Sequence, residues 1–166
     1  MNNFIECIVK RKKTVADYGI WLLTCLVAFL CCFIVLSLQA ISTYIVILFW
    51  LVVGIAYLAY RVIVSRNIEY EYAFFNGDLS IDKITNRKRR KRIISVEVKN
   101  FETFEQANDG FINRVKNITP IKIIHAEGDI NSTETYGAIF NNRGIKTCLY
   151  IQPNDKILDA INRRRR

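Results

Sequence analysis

YGIWLLTCLVAFLCCFIVLSLQAISTYIVILFWLVVGIAYLAY, Tyr18–Tyr60, contains no Lys, Arg, Asp or Glu. A helix that crosses a bilayer needs about 20 apolar residues to span about 30 Å of hydrocarbon. The run is about twice that long, which suits two crossings. Its densest polar cluster, Gln39, Ser42 and Thr43, lies within Ser37–Thr43 and marks a tight turn. The run therefore reads as a transmembrane hairpin over residues 18–64, with helices at about 19–38 and 44–64. Trp21, Tyr44, Trp50, Tyr57 and Tyr60 have the amphipathic rings that favour the two interfaces.

The flanks give the hairpin a direction. Lys10, Arg11, Lys12 and Lys13 precede it, Arg61 and Arg66 follow, and the connecting turn has no charge. Basic residues stay on the cytoplasmic side, so both termini are expected there, in a multi-pass protein of the cell membrane. On that topology the acceptor patterns at Asn117-Ile118-Thr119 and Asn131-Ser132-Thr133 face the cytoplasm and carry no glycan. The apolar run is too long for a signal-peptide core, so it is read as retained. Residues 1–17 form a cytoplasmic segment, either a short interfacial helix with Phe4, Ile5, Ile8 and Val9 on one face or a disordered tail.

Cys25, Ala28 and Cys32 form a small-residue stripe on the first helix, with Gly54 of the second expected to face it. Such stripes let backbones approach closely, either within the hairpin or in a homodimer. With no ionisable residue in the run, a transport path is not favoured. The five cysteines include no C-x-x-C, and Cys31-Cys32 reads as two small polarizable helix residues.

From Ile68 the apolar period becomes two. Ile68, Tyr70, Tyr72 and Phe74 alternate with Glu69, Glu71 and Ala73, and Asn76-Gly77 supplies a hairpin turn into Leu79–Ile84. Arg87–Arg92 interrupts, and a third strand starts near Ile94 and runs toward Phe104. Residues 106–119 read as a polar loop; Ile121–Ala126, Tyr136–Phe140 and Ile145–Ile151 are later strands. Asn154 caps a final helix whose apolar face is Ile157, Leu158 and Ile161. Residues 66–166 are thus expected as a cytoplasmic α+β domain of six or seven antiparallel strands. The sheet is a strongly bent one or a small barrel, with a C-terminal capping helix. The pleckstrin-homology-like fold has this layout.

Ile68-Glu69-Tyr70-Glu71-Tyr72, then Gly77-Asp78-Leu79-Ser80-Ile81-Asp82-Lys83-Ile84, then Arg87–Arg92, resemble the small bacterial membrane proteins of domain of unknown function 6106. Glu6-Cys7-Ile8-Val9-Lys10-Arg11-Lys12 and Gln152-Pro153-Asn154-Asp155-Lys156 are similar as well, so the resemblance covers nearly the whole chain. It implies a two-helix anchor before a cytoplasmic domain and implies no activity.

Arg87, Lys88, Arg89, Arg90, Lys91 and Arg92 are the candidate contact for anionic phospholipid or an acidic partner. The bland alternative is a solvated turn that helps to set topology. No aromatic residue is interleaved, which does not favour nucleic acid. Arg163–Arg166 is either a tail that suits a helix C-terminus or a second lipid contact. His125, the single histidine, sits in a strand pattern and reads as structural; Asp78 and Asp82 read as turn and surface residues. No Walker A, G-x-G-x-x-G or H-E-x-x-H is present, so no catalytic residue, cofactor or metal is assigned and the chain is read as a non-enzyme. Two functions remain: a membrane-anchored binding module, or a structural or assembly subunit that binds other membrane proteins.

Overall fold

The computed structural model describes residues 4–39, 45–118, 121–129 and 132–165, without the side chains of residues 38, 39 and 45. The chain divides into two compact units, 13–67 and the remainder on both sides of it.

The helical unit holds α1 (Val15–Gln39) and α2 (Ile45–Ser65). Both are long and apolar enough to cross a membrane, and nearly all of that apolar surface is left unburied. α1 starts four residues earlier than the charge gap suggested, because Asp17 completes a cap. Its Oδ2 accepts from the Thr14 N–H and the Thr14 Oγ1, each at 3.0 Å. α1 and α2 pack together, and the residues not left exposed include Thr24, Ala28, Cys31, Cys32 and Val35 of α1 and Leu48, Val52, Ile55, Ala59 and Ile63 of α2. Apart from the adjacent Cys31-Cys32, these recur every three or four residues, the spacing of one helix face. Gly54 is exposed, with open space where a side chain would stand, so it does not face the stripe, of which Ala28 and Cys32 are half-buried and Cys25 is exposed. Thr24 and Ser37 satisfy their hydroxyls on the Ile20 and Phe33 carbonyls. Most of the expected turn, with Tyr44, lies outside the described residues.

The second unit begins with a correction. Residues expected as an interfacial helix or a tail form strand β1 (Ile5–Lys10). It pairs antiparallel with β2 (Ile68–Phe75), from Ile5↔Phe74 to Lys10↔Glu69. Ile5, Cys7 and Val9 pack on the core while Glu6, Ile8 and Lys10 face out. The sheet-rich unit is therefore assembled from both sides of the helices, and the expected start at residue 66 omits one strand.

β2 turns through Asn76-Gly77, both at positive φ (50° and 98°), into β3 (Asp78–Thr85), which pairs with β4 (Arg89–Glu97). This antiparallel sheet has the order β1-β2-β3-β4. β5 (Phe101–Gln106), β6 (Lys122–His125), β7 (Tyr136–Asn142) and β8 (Ile145–Ile151) form the second sheet, in the order β5-β7-β8-β6. β6 runs parallel to β8, against the expectation of an all-antiparallel sheet. The two sheets do not close into a barrel. α3 (Asp109–Asn117) replaces the expected polar loop. Asn108 Oδ1 caps it by accepting from Phe111 N at 2.8 Å, and Phe111 and Val115 bury against Ile139, Cys148 and Tyr150.

α4 (Asp155–Arg165) is capped as expected, Ile157 N donating to Asn154 Oδ1 at 3.0 Å. Ile157 and Ile161 are fully buried in one core with Tyr72, Leu79, Ile81, Val98, Leu149 and Ile151. The Tyr72 hydroxyl donates to the Ala126 carbonyl at 2.5 Å and accepts from Gln152 N at 3.2 Å, which joins the two sheets. The adjoining loop seats on β1: Lys12 N donates to the Gly128 carbonyl at 2.8 Å.

Candidate functional site

The basic stretch forms a hairpin tip and the start of a strand. Asn86 and Arg87 take positive φ (52° and 54°), and Lys88 N closes the turn on the Thr85 carbonyl at 3.2 Å. Asn tolerates that conformation; Arg pays about 1 kcal/mol for it. Arg89–Arg92 are already β4, not an interruption between strands. Strand alternation then divides the cations between two faces. Arg90 stands opposite Ile84 and Arg92 opposite Asp82; on the other face Arg89 stands opposite Thr85 and Lys91 opposite Lys83.

The first face carries the acidic residues of β2 and β3. Arg87 Nε lies 3.5 Å from Glu69 Oε1, Arg90 Nη2 3.0 Å from Glu71 Oε2, and Arg92 Nε 3.0 Å from Asp82 Oδ1. Glu69 and Glu71 are buried, so each is partly screened from water by the arginine that covers it. Lys88, Arg89 and Lys91 are exposed and form no ion pair among the described residues. Sequence reasoning treated six cations as equivalent; the register separates three paired arginines from three unpaired cations.

Glu71 is the most perturbed carboxyl beneath this face. Only 5% exposed, it is pushed up to about 7, first by burial, then by a hydrogen bond with Glu6 and the charges of Glu6 and Asp82, against the pull of Arg90. Arg90 is close but out of line, and Glu71 Oε2 has no hydrogen bond.

The C-terminal arginines also separate. Arg165 donates to the Phe104 carbonyl at 3.2 Å and lies over that ring, whereas Arg163 and Arg164 line a groove beside α4. Arg166 lies outside the described residues. His125 Nδ1 is 2.7 Å from Glu127 Oε1 and its ring stacks on Tyr150; that hydrogen bond raises its pKa. Asp78 stands opposite Glu97, and Asp82 is held by Arg92, so the two aspartates are not brought together as a pair. Burial pushes the Cys148 thiol up to about 11. Among the described residues no group of three or more His, Cys, Asp or Glu could hold a metal.

Sequence reasoning missed a buried pair at the base of the helical unit. Asp17 is 4% exposed, and its Oδ1 accepts from Arg66 Nε at 2.9 Å and Nη2 at 2.5 Å. The signal was present: Asp17 immediately precedes the uncharged run, Arg66 lies just beyond its other end, and Thr14-x-x-Asp17 has capping-box spacing.

Two apolar helices, two open sheets and a C-terminal helix define a pleckstrin-homology-like domain with a helical insertion after its first strand. The chain belongs to the family described as Bacterial PH-like domain (DUF6106), whose model matches residues 1–166. Neither a curated protein nor a solved structure matches the chain.

Proposed function

We propose that this protein is a membrane-anchored binding module of the bacterial inner face, with no catalytic role. α1 and α2 cross the bilayer as a hairpin, and the PH-like domain meets anionic phospholipid through Lys88, Arg89 and Lys91. The observation that carries this reading is the division of the basic hairpin into three paired and three unpaired cations. Each charge near an anionic surface is worth about 1 kcal/mol. Three give about 3 kcal/mol rather than six. That is weak for recruitment and ample for orienting a domain that is already tethered.

The strand order supports the topology. β1 and β2 flank the helices in sequence and pair in one sheet, so both ends of the insertion belong in one compartment. An even number of crossings meets that requirement, and the basic flanks favour the cytoplasm.

The test uses the full chain in nanodiscs, with an environment-sensitive fluorophore at position 88 and quenchers on the lipid headgroups. Quenching should be stronger in discs containing phosphatidylglycerol than in phosphatidylcholine alone, and should fall at high salt as the Debye length shrinks to about 3 Å near 1 M. Equal quenching in both lipids at low salt contradicts the lipid contact.

The second reading is an assembly subunit. It is favoured by Gly54, which is exposed on α2 with open space around it. A monomer with no co-purifying protein in mild detergent counts against it.

A further inference from the structure

A groove of about 990 Å³ lies beside α4, apart from the basic hairpin. One face of the helix forms its wall: Lys156, Asp159, Ala160, Arg163 and Arg164 follow one another at helical spacing. The start of β1 and the Asn76-Gly77 turn form the other side. Lys156, Arg163 and Arg164 form no ion pair among the described residues. Gly77 permits this arrangement, since a Cβ there would lie 2.7 Å from Arg164 Nε.

The charge order along the groove selects the occupant. Lys156 and Arg164 are eight residues apart, about 12 Å along the axis. That separation suits two negative groups rather than one phosphate. Asp159 stands between them on the helix, and Glu6 of β1 also lines the groove; both oppose a uniformly anionic surface. Phe4, large, apolar and 61% exposed, offers an apolar contact in the same groove.

We propose that this groove binds an extended peptide segment of a protein partner with an acidic, apolar, acidic alternation. In a strand, residues i, i+2 and i+4 share one face and span about 13 Å. Two acidic residues at the ends then meet Lys156 and the Arg163–Arg164 pair, and the apolar residue between them meets Phe4 and Ala160 without adding charge beside Asp159.

The experiment is fluorescence anisotropy of the fluorescein-labelled peptide Gly-Glu-Ser-Phe-Ser-Glu-Gly with the full chain in phosphatidylcholine nanodiscs. Saturable binding is expected, weakened about tenfold when both glutamates become glutamine or when the protein carries Lys156→Glu and Arg163→Glu. A Lys-Ser-Phe-Ser-Lys peptide should regain binding to that double variant, which shows that it is folded. Neutralising Lys88, Arg89 and Lys91 should leave peptide binding unchanged, which separates this site from the lipid contact. No saturable binding, equal binding by the double variant, or displacement of the peptide by phosphatidylglycerol in the disc overturns the proposal.

Discussion

The Arg11 N–H donates to the Ile68 carbonyl at 3.0 Å, although the whole helical unit lies between these residues in sequence. The chain leaves the sheet at the end of β1 and re-enters beside it at the start of β2. The expected consequence is a domain that folds without its helices, provided β1 is kept. A chain with residues 13–67 replaced by a four-residue Gly/Ser linker should be soluble and unfold cooperatively in urea. Removing residues 1–12 as well should cost about 4 kcal/mol, from three core-facing side chains and the β1–β2 ladder. Equal urea midpoints for the two chains would show that β1 is dispensable.

Glu71 gives the domain a pH dependence. Its folded pKa of about 7 lies above the ordinary 4.5, so the folded state holds a proton that the unfolded state releases. Its contribution is most favourable below about 4.5 and is lost as pH rises toward about 7. Glu71→Gln should therefore gain about 2 kcal/mol relative to the native domain at pH 8 and little at pH 4.5. His125 acts in the same direction: its pKa is raised, so the stability it adds is full below its unfolded value and fades as pH rises through the folded one. Urea unfolding at the two pH values measures both, and Glu71→Gln combined with His125→Gln should flatten the remaining slope.

Gly137 is needed for α3 to dock. A Cβ at this position would overlap the Phe111 ring, which is fully buried. Gly137→Ala should destabilise the domain by about 3 kcal/mol and expose Phe111. Gly144→Ala is the contrast: it has open space and φ of 85°, so only backbone strain of about 1 kcal/mol is expected. Denaturation of both variants should rank them in that order.

Asp17 and Arg66 close the base of the helical unit. Asp17→Ala removes a helix cap and leaves Arg66 without this carboxylate, at a cost of about 2 kcal/mol. Thermal unfolding of the full chain in detergent should show a lowered midpoint, with a smaller loss for Asp17→Asn, which keeps an acceptor for Thr14. An unchanged midpoint for Asp17→Ala would mean the pair contributes nothing.

The two helices were legible because a missing class of residue is easy to see, and the β2–β3 hairpin because Asn76-Gly77 requires positive φ. α4 was legible from Asn154 and its buried isoleucines. β1 was not: over six residues Ile5, Ile8 and Val9 fit helical spacing as well as Ile5, Cys7 and Val9 fit a strand, and its partner lies beyond the helices. α3 has only Phe111 and Val115 as anchors in a polar stretch. The parallel direction of β6 depends on a neighbour that sequence order does not reveal. The basic stretch was visible as charge, but its pairing with Glu69, Glu71 and Asp82 arises from cross-strand register.

A hairpin anchor inserted into one PH-like domain is tested most directly by compartment mapping with a fluorescent protein fused to either end of the full chain in bacterial cells. Cytoplasmic fluorescence is expected from both fusions, because β1 and β2 must meet in one sheet. An N-terminal fusion located outside the membrane while the C-terminal fusion is inside would contradict it.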